Sequence, residues 1–316
     1  MSYRIKTHGR IGAELQRVAV EEIVAVGTAL RTLERTGAAE AVHEARKHLK
    51  KLRALVQLLR APLGAKRVRR EVAIYREAGR RLHRLRDAQA LAAALEGLTG
   101  RFFEKRRPPL ILAAQRILAA AEQRAHRALA KDDACETLLA TLREARTRAV
   151  GWKLDEFRWK DLGSALRRSY RRAREAWRHA CDEPKPGRLH EWRRRTKDLW
   201  HHLNLVHTAA PDLLDEVAGE LDVLGEFLGD DHDLVVLRKT LDAHPGHVPP
   251  GEARDALFEM LALRRDELLD AAFDLAKRIF ADSPGEFMAA LEERREEHRR
   301  RTKKTRRIAK RLGAPA

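Results

Sequence analysis

The chain has 316 residues, and its 65 Lys and Arg against 47 Asp and Glu give a formal net charge of +18. This excess favours a polyanionic partner, which can be nucleic acid, an anionic membrane surface or a polymeric phosphate, and the alternative is a surface that only keeps the protein soluble. Hydrophobic residues make up 44% and aromatic residues only 5%, which excludes wholesale disorder and disfavours an all-β fold. No apolar stretch approaches the roughly 18 residues needed to cross a bilayer, and residues 1–10 lack the apolar core of a signal peptide, so we expect a cytoplasmic protein without membrane insertion.

Clusters of Gly and Pro separate segments whose apolar residues recur at i, i+3, i+4 and i+7, the period of an amphipathic helix. Strand-like alternation is absent, so the predicted fold class is all-α. Helices are predicted over residues 11–36, 39–60, 65–98, 108–131, 133–150, 158–181, 188–209, 211–243, 252–281 and 285–312.

The second half of the chain repeats motifs of the first. Residues 42–52 match residues 189–199 at an offset of 147, and residues 85–91 match residues 228–234 at an offset of 143. Each half therefore holds about four antiparallel helices, which predicts two four-helix bundles related by an internal pseudo-twofold duplication. The predicted domains are a first bundle with a connector helix over 10–150, a second bundle over 151–285, and a basic C-terminal helix and tail over 286–316.

The repeated segment carries a basic stripe along one helix face. At about 100° per residue, the basic residues of the first copy fall within an arc of roughly 80°, and Gln57 and Arg60 continue it. Acidic residues are nearly missing from the stripe, and the forked donors of Arg match phosphate oxygens. The stripe therefore predicts a track for a linear polyanion, and the alternative is a solvated helix face. It consists of His43, Arg46, Lys50 and Arg53 in the first copy and of His190, Arg193 and Lys197 in the second.

The helix before the second stripe adds further basic residues. Residues at helical spacing on it are Arg167, Tyr170, Arg171 and Arg174. Tyr170 is suited either to donating a hydrogen bond to a phosphate or to packing in the core. In the first half the corresponding stretch keeps Arg17, but Glu21 and Glu22 stand where the second half has arginines.

Other kinds of site are disfavoured. His43 and His48 are five residues apart, so their rings diverge on a helix and cannot share a zinc ion. The acidic run 230–233 is expected to start a helix rather than to bind a divalent ion, and His201 and His202 are expected at the rim of the stripe. No GxxxxGK[ST] loop is present, which excludes nucleotide hydrolysis of that class.

These motifs resemble the CHAD family, the histidine-containing α-helical domain. The resemblance rests on the two stripe copies and on residues 229–234, and it extends from about residue 10 to about residue 285. It implies two pseudo-twofold-related four-helix bundles, a central basic surface that binds inorganic polyphosphate, and location at polyphosphate granules. The binding residues that it implies are His43, Arg46, Lys50, Arg53, Tyr170, Arg171, Arg174, His190, Arg193, Arg194 and Lys197. Arg17, Lys47 and Arg168 complete the predicted set.

The chain departs from the family pattern in two ways. The second copy has Trp200 where the first has Arg53, so the predicted track is not twofold in its chemistry. Family members are often fused to a triphosphate-tunnel phosphatase domain, and the alternating-Glu strand of that domain is absent here. We therefore expect a non-catalytic polyphosphate-binding protein without a metal or other cofactor. The alternative is a nucleic-acid-binding protein that uses the same basic surface, which the scarcity of aromatic residues disfavours.

The C-terminal helix changes character along its length. Residues 282–286 carry a helix-start signal, and apolar residues occur only in the first turns. From Arg294 onward the segment is strongly basic. We expect the first turns to dock and the remainder to be an accessory polyanion contact, and the alternative is a charged end that frays.

Overall fold

The computed structural model describes residues 3–6, 9–32, 38–102, 108–131 and 134–311. Within these ranges the chain is helical and contains no β-strand, so the predicted all-α fold class is confirmed. None of the described helices combines the length and the apolar character that crossing a membrane requires.

The helices of the described ranges begin and end within a few residues of the predicted bounds, except after residue 81. They are α1 (Ile11–Arg31), α2 (Ala38–Leu58), α3 (Arg60–Leu63), α4 (Ala65–Arg81), α5 (His83–Phe102), α6 (Pro109–Lys131), α7 (Ala134–Val150), α8 (Trp159–Asp182), α9 (Pro186–Val206), α10 (Pro211–Asp242), α11 (Glu252–Ile279) and α12 (Pro284–Arg311). A short 3-10 turn, His207–Ala209, joins α9 to α10.

The prediction of one helix over residues 65–98 is wrong, because the chain breaks between α4 and α5. Leu82 separates them with φ −88° and ψ 4°, and its side chain is only 3% exposed. Neither Gly nor Pro marks this position. The break allows α4 to pack against α2 and α7 while α5 packs against α6 and α10. Tertiary packing, rather than a local turn signal, therefore ends α4.

A tight turn reverses the chain after α2. The four-residue helix α3 ends at Gly64, whose φ of +78° lies in the left-handed region where glycine carries no steric penalty. The turn places Arg60 and Ala65 at the C-terminal end of α2, where both line the same cavity.

Local hydrogen bonds fix where two of the long helices begin. The Arg158 backbone N–H donates to Asp161 Oδ2 at 2.9 Å at the start of α8. At the start of α12, the Ser283 N–H donates to Glu286 Oε2 at 2.7 Å, and the Glu286 N–H donates to Ser283 Oγ at 3.2 Å. Reciprocal pairs of this kind satisfy backbone donors that have no partner within the helix. The helix start predicted at residues 282–286 is thus confirmed.

Corresponding helices make corresponding contacts in the two halves of the chain. The pairs α1–α2, α2–α4, α5–α6 and α1–α7 of the first half parallel α8–α9, α9–α10, α10–α11 and α8–α12 of the second. The halves meet where α2 contacts α9 and where α5 contacts α10. Buried apolar side chains form two clusters, and each cluster draws on both halves. The halves are therefore held together by shared cores, and the contact between α2 and α9 brings the two basic stripes near each other.

Candidate polyanion-binding site

The basic stripe of the first copy lines a groove between α2 and α4, which we call the α2–α4 groove. Arg46, Lys50 and Arg53 of α2 line it, and its volume is about 100 Å³. The Arg46 Nη1 donates a hydrogen bond to the carbonyl oxygen of Gly79 on α4 at 3.1 Å. Three predicted binding residues therefore lie side by side on one wall.

The opposite wall of the α2–α4 groove is basic as well. Arg76 and Arg80 of α4 line it, although neither was in the predicted set. Their spacing, together with that of Arg69, places them on one face of a helix, so a periodic signal was present in the sequence. The sequence did not show that this face would be turned toward the stripe on α2.

A larger opening, which we call the arginine cavity, continues the stripe past the end of α2. It has a volume of about 400 Å³ and lies among α2, α3, α8 and α9. Of the predicted stripe, Gln57 and Arg60 reach it. Its polar and charged lining residues are Gln57, Arg60, Arg168, Ser169, Arg172, Arg195, Asp198 and His202. Groove and cavity together line α2 from Arg46 to its C-terminal end and continue to Arg60 just beyond it.

The positive charge of the arginine cavity is largely uncompensated. In the described part of the chain, no carboxylate forms an ion pair with Arg60, Arg168 or Arg172. Burial lowers the pKa of the Arg172 guanidinium, and the positive charges of four neighbouring arginines lower it further. Those neighbours are Arg195, Arg60, Arg168 and Arg171. Guanidinium groups held this close repel one another, so an anion that enters the cavity relieves the repulsion.

One carboxylate, that of Asp198, lies in the lining of the arginine cavity. Its Oδ2 is 3.7 Å from Arg195 Nη1 and accepts no hydrogen bond. Burial raises the pKa of the Asp198 carboxyl, while the charges of Arg53, Arg195 and Arg194 oppose that rise. The Asp198 carboxylate therefore competes with a ligand phosphate for the arginines of the cavity.

Arg53 links the α2–α4 groove to the arginine cavity. Burial lowers the pKa of its guanidinium, Asp198 opposes this shift, and Arg194 and Arg76 add to it. Among the described residues the Arg53 Nε has no hydrogen-bond partner, and this nitrogen is buried. Side chains from α2, α4 and α9 thus share one electrostatic environment around Arg53.

His201 and His202 are buried, so the prediction that they lie at the rim of the stripe is wrong. Because a carbonyl can only accept, His202 Nε2 donates to the Ala54 oxygen at 2.8 Å, and Nδ1 accepts from Ser169 Oγ at 2.7 Å. Burial lowers the pKa of His202 to about 4 and that of His201 well below its usual value. The neutral His202 ring connects α9 to α2 and α8 and fixes the wall of the arginine cavity.

The second copy of the stripe, on α9, faces carboxylates of α10. The Lys197 Nζ is 3.0 Å from Asp222 Oδ1 and 5.0 Å from the centroid of the Trp200 ring. Burial raises the pKa values of Asp230 and Asp231, and the charge of Arg193 opposes that rise in both. The prediction that acidic partners are nearly missing is therefore wrong for this copy, because the partners come from a different helix.

The structure places three predicted binding residues away from the groove and the cavity. Tyr170 is fully buried, and its hydroxyl donates to the Ile279 oxygen at 2.9 Å, so it packs in the core and offers no donor to a ligand. The Arg174 Nε donates to the Phe280 oxygen at 2.9 Å. Arg17 forms ion pairs with Glu14 at 2.8 Å and with Glu21 at 2.7 Å.

The remaining predicted residues are solvent-exposed. They are His43, Lys47, Arg171, His190 and Arg194. Arg171 and Arg194 contribute charge to the site through Arg172 and Arg53, respectively. Lys47 is paired with Glu44 at 3.3 Å, and the His190 ring lies 5.4 Å from that of His232.

The acidic run 230–233 lies inside α10, so the prediction that it starts a helix is wrong. Helix α10 begins at Pro211 and continues without interruption to Asp242. Asp231 Oδ1 accepts a hydrogen bond from Arg265 Nε of α11 at 2.7 Å, which gives this carboxylate a structural partner. Among the residues that the structure describes, no three His, Cys, Asp or Glu side chains are grouped as a metal ion would require.

Comparison with known proteins identifies the family to which the chain belongs. No curated protein is significantly similar to the chain. The family model of the CHAD domain matches residues 22–242, from the middle of α1 to the end of α10. Since this match covers most of the 316 residues, the chain belongs to the CHAD family.

Proposed function

We propose that this protein binds inorganic polyphosphate along the α2–α4 groove and in the arginine cavity, and that this binding directs it to polyphosphate granules. The observation that carries the proposal is the set of cavity arginines that form no ion pair with any described carboxylate, namely Arg60, Arg168 and Arg172. Membership of the CHAD family is consistent with a polyphosphate-related role. A linear chain of phosphates matches a site that is elongated and basic, and Tyr75, the tyrosine that lines the groove, is fully buried and so presents no surface on which a base could stack.

We propose that the site binds polyphosphate without catalysing a reaction. Ser169 and His202 form a hydrogen-bonded pair at the cavity wall, which has the outward form of a nucleophile and its base. A histidine whose pKa is about 4 is a weak base at neutral pH, and its second nitrogen is already committed to Ala54. The pair is therefore suited to holding the wall in place.

We further propose that the two halves arose by duplication, with a first domain over 10–150, a second over 151–285 and a C-terminal segment over 286–316. The parallel order of helix contacts and the repeated stripe motif support the duplication. The duplicated halves have since diverged in charge, because the helix packed against the stripe is basic in one half and acidic in the other.

The test is competition binding at physiological salt, with long-chain polyphosphate against single-stranded and duplex DNA. We expect polyphosphate to displace both DNAs at a lower phosphate concentration than either DNA displaces polyphosphate. The double variant Arg168→Glu with Arg172→Glu should reduce polyphosphate affinity at least about 100-fold, since removal and reversal of two charged contacts costs several kcal/mol. Its helical circular dichroism should match that of the wild type.

The matched control is Arg143→Glu with Arg146→Glu, which reverses two exposed charges on α7, away from the cavity. We expect the fold-change in polyphosphate affinity for this control to be less than a tenth of that for the cavity variant. Equal effects of the two double variants would show that net charge alone attracts the ligand. Preferential displacement by DNA would support a nucleic-acid-binding protein instead.

A further inference from the structure

The C-terminal helix α12 is anchored to the body by its first half. Phe287 is buried and stacks on Tyr170 at a ring-centroid distance of 4.3 Å. The Arg295 guanidinium lies 4.2 Å from the centroid of the Trp159 ring. Because Trp159 is the first residue of α8 and Tyr170 lies near its middle, α12 runs antiparallel to α8 and passes its N-terminal end near Arg295.

Charge changes abruptly along α12 beyond this anchor. Up to Glu297, arginines alternate with glutamates and form i,i+3 pairs such as Arg294–Glu297 at 3.1 Å. Residues 299–311, which we call the basic arm, contain nine Lys and Arg and no Asp or Glu. In the described part of the chain, Lys303, Lys304 and Arg307 are exposed and form no ion pair. The side chains of Arg306, Lys310 and Arg311 lie outside the described residues.

The anchored part of α12 and the arginine cavity lie on different sides of α8, and the basic arm continues beyond the N-terminal end of α8. Arg168 and Arg172 of α8 line the cavity, whereas Tyr170 contacts α12. At about 100° per residue, Tyr170 is roughly 160° around the helix from each of them. A ligand that just fills the cavity therefore does not face α12, whereas a longer chain can extend from the cavity past the N-terminal end of α8 toward the basic arm.

We propose that the basic arm is a second polyphosphate-binding site, which engages the free portion of a long chain whose other portion occupies the arginine cavity. This inference rests on the proposed function of the cavity. Linking two contacts on one ligand makes the second contact intramolecular, so weak binding by the arm increases the affinity for long chains selectively. The arm is thereby a determinant of chain-length preference.

The composition of the basic arm favours polyphosphate over nucleic acid as its ligand. Besides Lys and Arg, residues 299–311 contain only Thr, Ile and Ala. Bases are recognised by aromatic stacking and by Asn, Gln, Arg or Lys on base edges. The arm has no aromatic side chain for stacking and no Asn or Gln for adenine, whereas its Lys and Arg side chains match phosphate oxygens.

The experiment compares two variants that each remove five exposed positive charges. The arm variant replaces Arg299, Arg300, Lys303, Lys304 and Arg307 with Gln, and the control variant replaces Arg116, Arg124, Arg127, Arg143 and Arg146 on α6 and α7 with Gln. Affinity is measured for short-chain and long-chain polyphosphate and for duplex DNA, and circular dichroism verifies that the helical content is retained.

We expect the arm variant to lose about tenfold in affinity for long chains and less than twofold for short chains. The control should lose little, and to the same extent for both lengths. Equal losses for short and long chains, no loss, or a loss matched by the control would each overturn the proposal. A larger loss for duplex DNA than for long polyphosphate would assign the arm to nucleic acid instead. The cavity is tested separately. The arm variant should still bind short chains, and adding Arg168→Glu with Arg172→Glu to it should abolish that binding.

Discussion

The two copies of the stripe motif share their His, Glu, Arg and Lys positions but have opposite electrostatic surroundings. In the first half, the stripe on α2 faces Arg76 and Arg80 of α4. In the second half, the stripe on α9 faces α10, which carries Asp222 and Asp230. The helix that faces the first stripe adds the positive charge of Arg76, although Arg80 is itself paired with Glu77, and the helix that faces the second stripe supplies a carboxylate to Lys197. A repeated motif therefore does not imply a repeated binding site, because the facing helix determines the net charge.

The ends of α2 and α9 differ in the same sense. The arginine cavity opens at the end of α2. At the end of α9, the N-terminal segment fills the space: the Ile5 N–H donates to the Leu205 oxygen at 2.9 Å, and the Thr208 hydroxyl donates to the Ile5 oxygen at 2.6 Å. Two features therefore favour binding on the α2 side: carboxylates face the stripe on α9, and the N-terminal segment occupies the end of α9.

The largest expected effect comes from neutralising two arginines of the first half, and the matched pair in the second half serves as the comparison. Arg53→Gln with Arg76→Gln should weaken polyphosphate binding about 100-fold, since each charged hydrogen bond to phosphate contributes roughly 1.5–3 kcal/mol. The slope of log affinity against log salt should also fall by about two. Isothermal titration over a series of salt concentrations measures both quantities.

The matched pair in the second half is Arg193→Gln with Lys197→Gln. We expect less than a fivefold change in affinity and an unchanged salt slope, because Lys197 is ion-paired with Asp222 and the charge of Arg193 acts on the nearby carboxyls of Asp230 and Asp231. Similar losses for the two pairs would contradict the asymmetry of the halves and would indicate that both stripes contact the ligand.

A smaller effect, of the opposite sign, is expected at Asp198. Replacing Asp198 with Asn removes a negative charge from the arginine cavity and should increase polyphosphate affinity about tenfold at neutral pH, which corresponds to about 1.4 kcal/mol. A decrease in affinity, with the fold intact by circular dichroism, would show that Asp198 orients the arginines instead of competing with the ligand.

The same residue gives binding a pH dependence. Burial raises the pKa of the Asp198 carboxyl, so its protonation begins at a higher pH than for an exposed aspartate and removes the competing charge. Wild-type affinity should therefore rise as the pH falls toward that raised pKa, and this component should be absent in Asp198→Asn. The neighbouring arginines stay charged throughout, and His202, with a pKa of about 4, stays neutral above that pH. The groups facing Asp198 are Arg53 and Gln57 of α2, Arg172 of α8, Arg194, Arg195 and His202 of α9, and Tyr3.

The smallest expected effects compare two glycines that lie beside the stripes. A Cβ at Gly225 would be 2.5 Å from Lys197 Cε and 2.7 Å from its Nζ, so Gly225→Ala should displace this flexible side chain and lower the free energy of unfolding by about 1 kcal/mol. A Cβ at Gly79 would meet no atom within 4 Å, so Gly79→Ala should stabilise α4 by about 0.5–1 kcal/mol. Urea unfolding measures both, and equal signs would contradict the difference in packing.

Much of the fold followed from local sequence patterns. The helical period, the separating Gly and Pro clusters, and the start signal at residues 282–286 depend on neighbours within a few residues of each other. The break at Leu82 did not follow, because no local residue encodes it and the packing of α4 and α5 onto different partners creates it. The candidate site shows the same division. The face occupied by Arg46, Lys50 and Arg53 could be predicted from spacing alone, whereas the orientation of the basic face of α4 toward this stripe could not.

The sequence by itself determined that this chain is helical, strongly basic, internally repeated and similar to the CHAD family, because each of these properties is a matter of composition or of short-range order. Only the tertiary structure decided which basic residues remain without acidic partners. It directed Tyr170 and Arg174 to the end of α11, paired Lys197 with Asp222, and gathered Arg60, Arg168 and Arg172 around one cavity. The physical reason is that the charge around a side chain depends on the helix packed against it, which can lie far away in sequence.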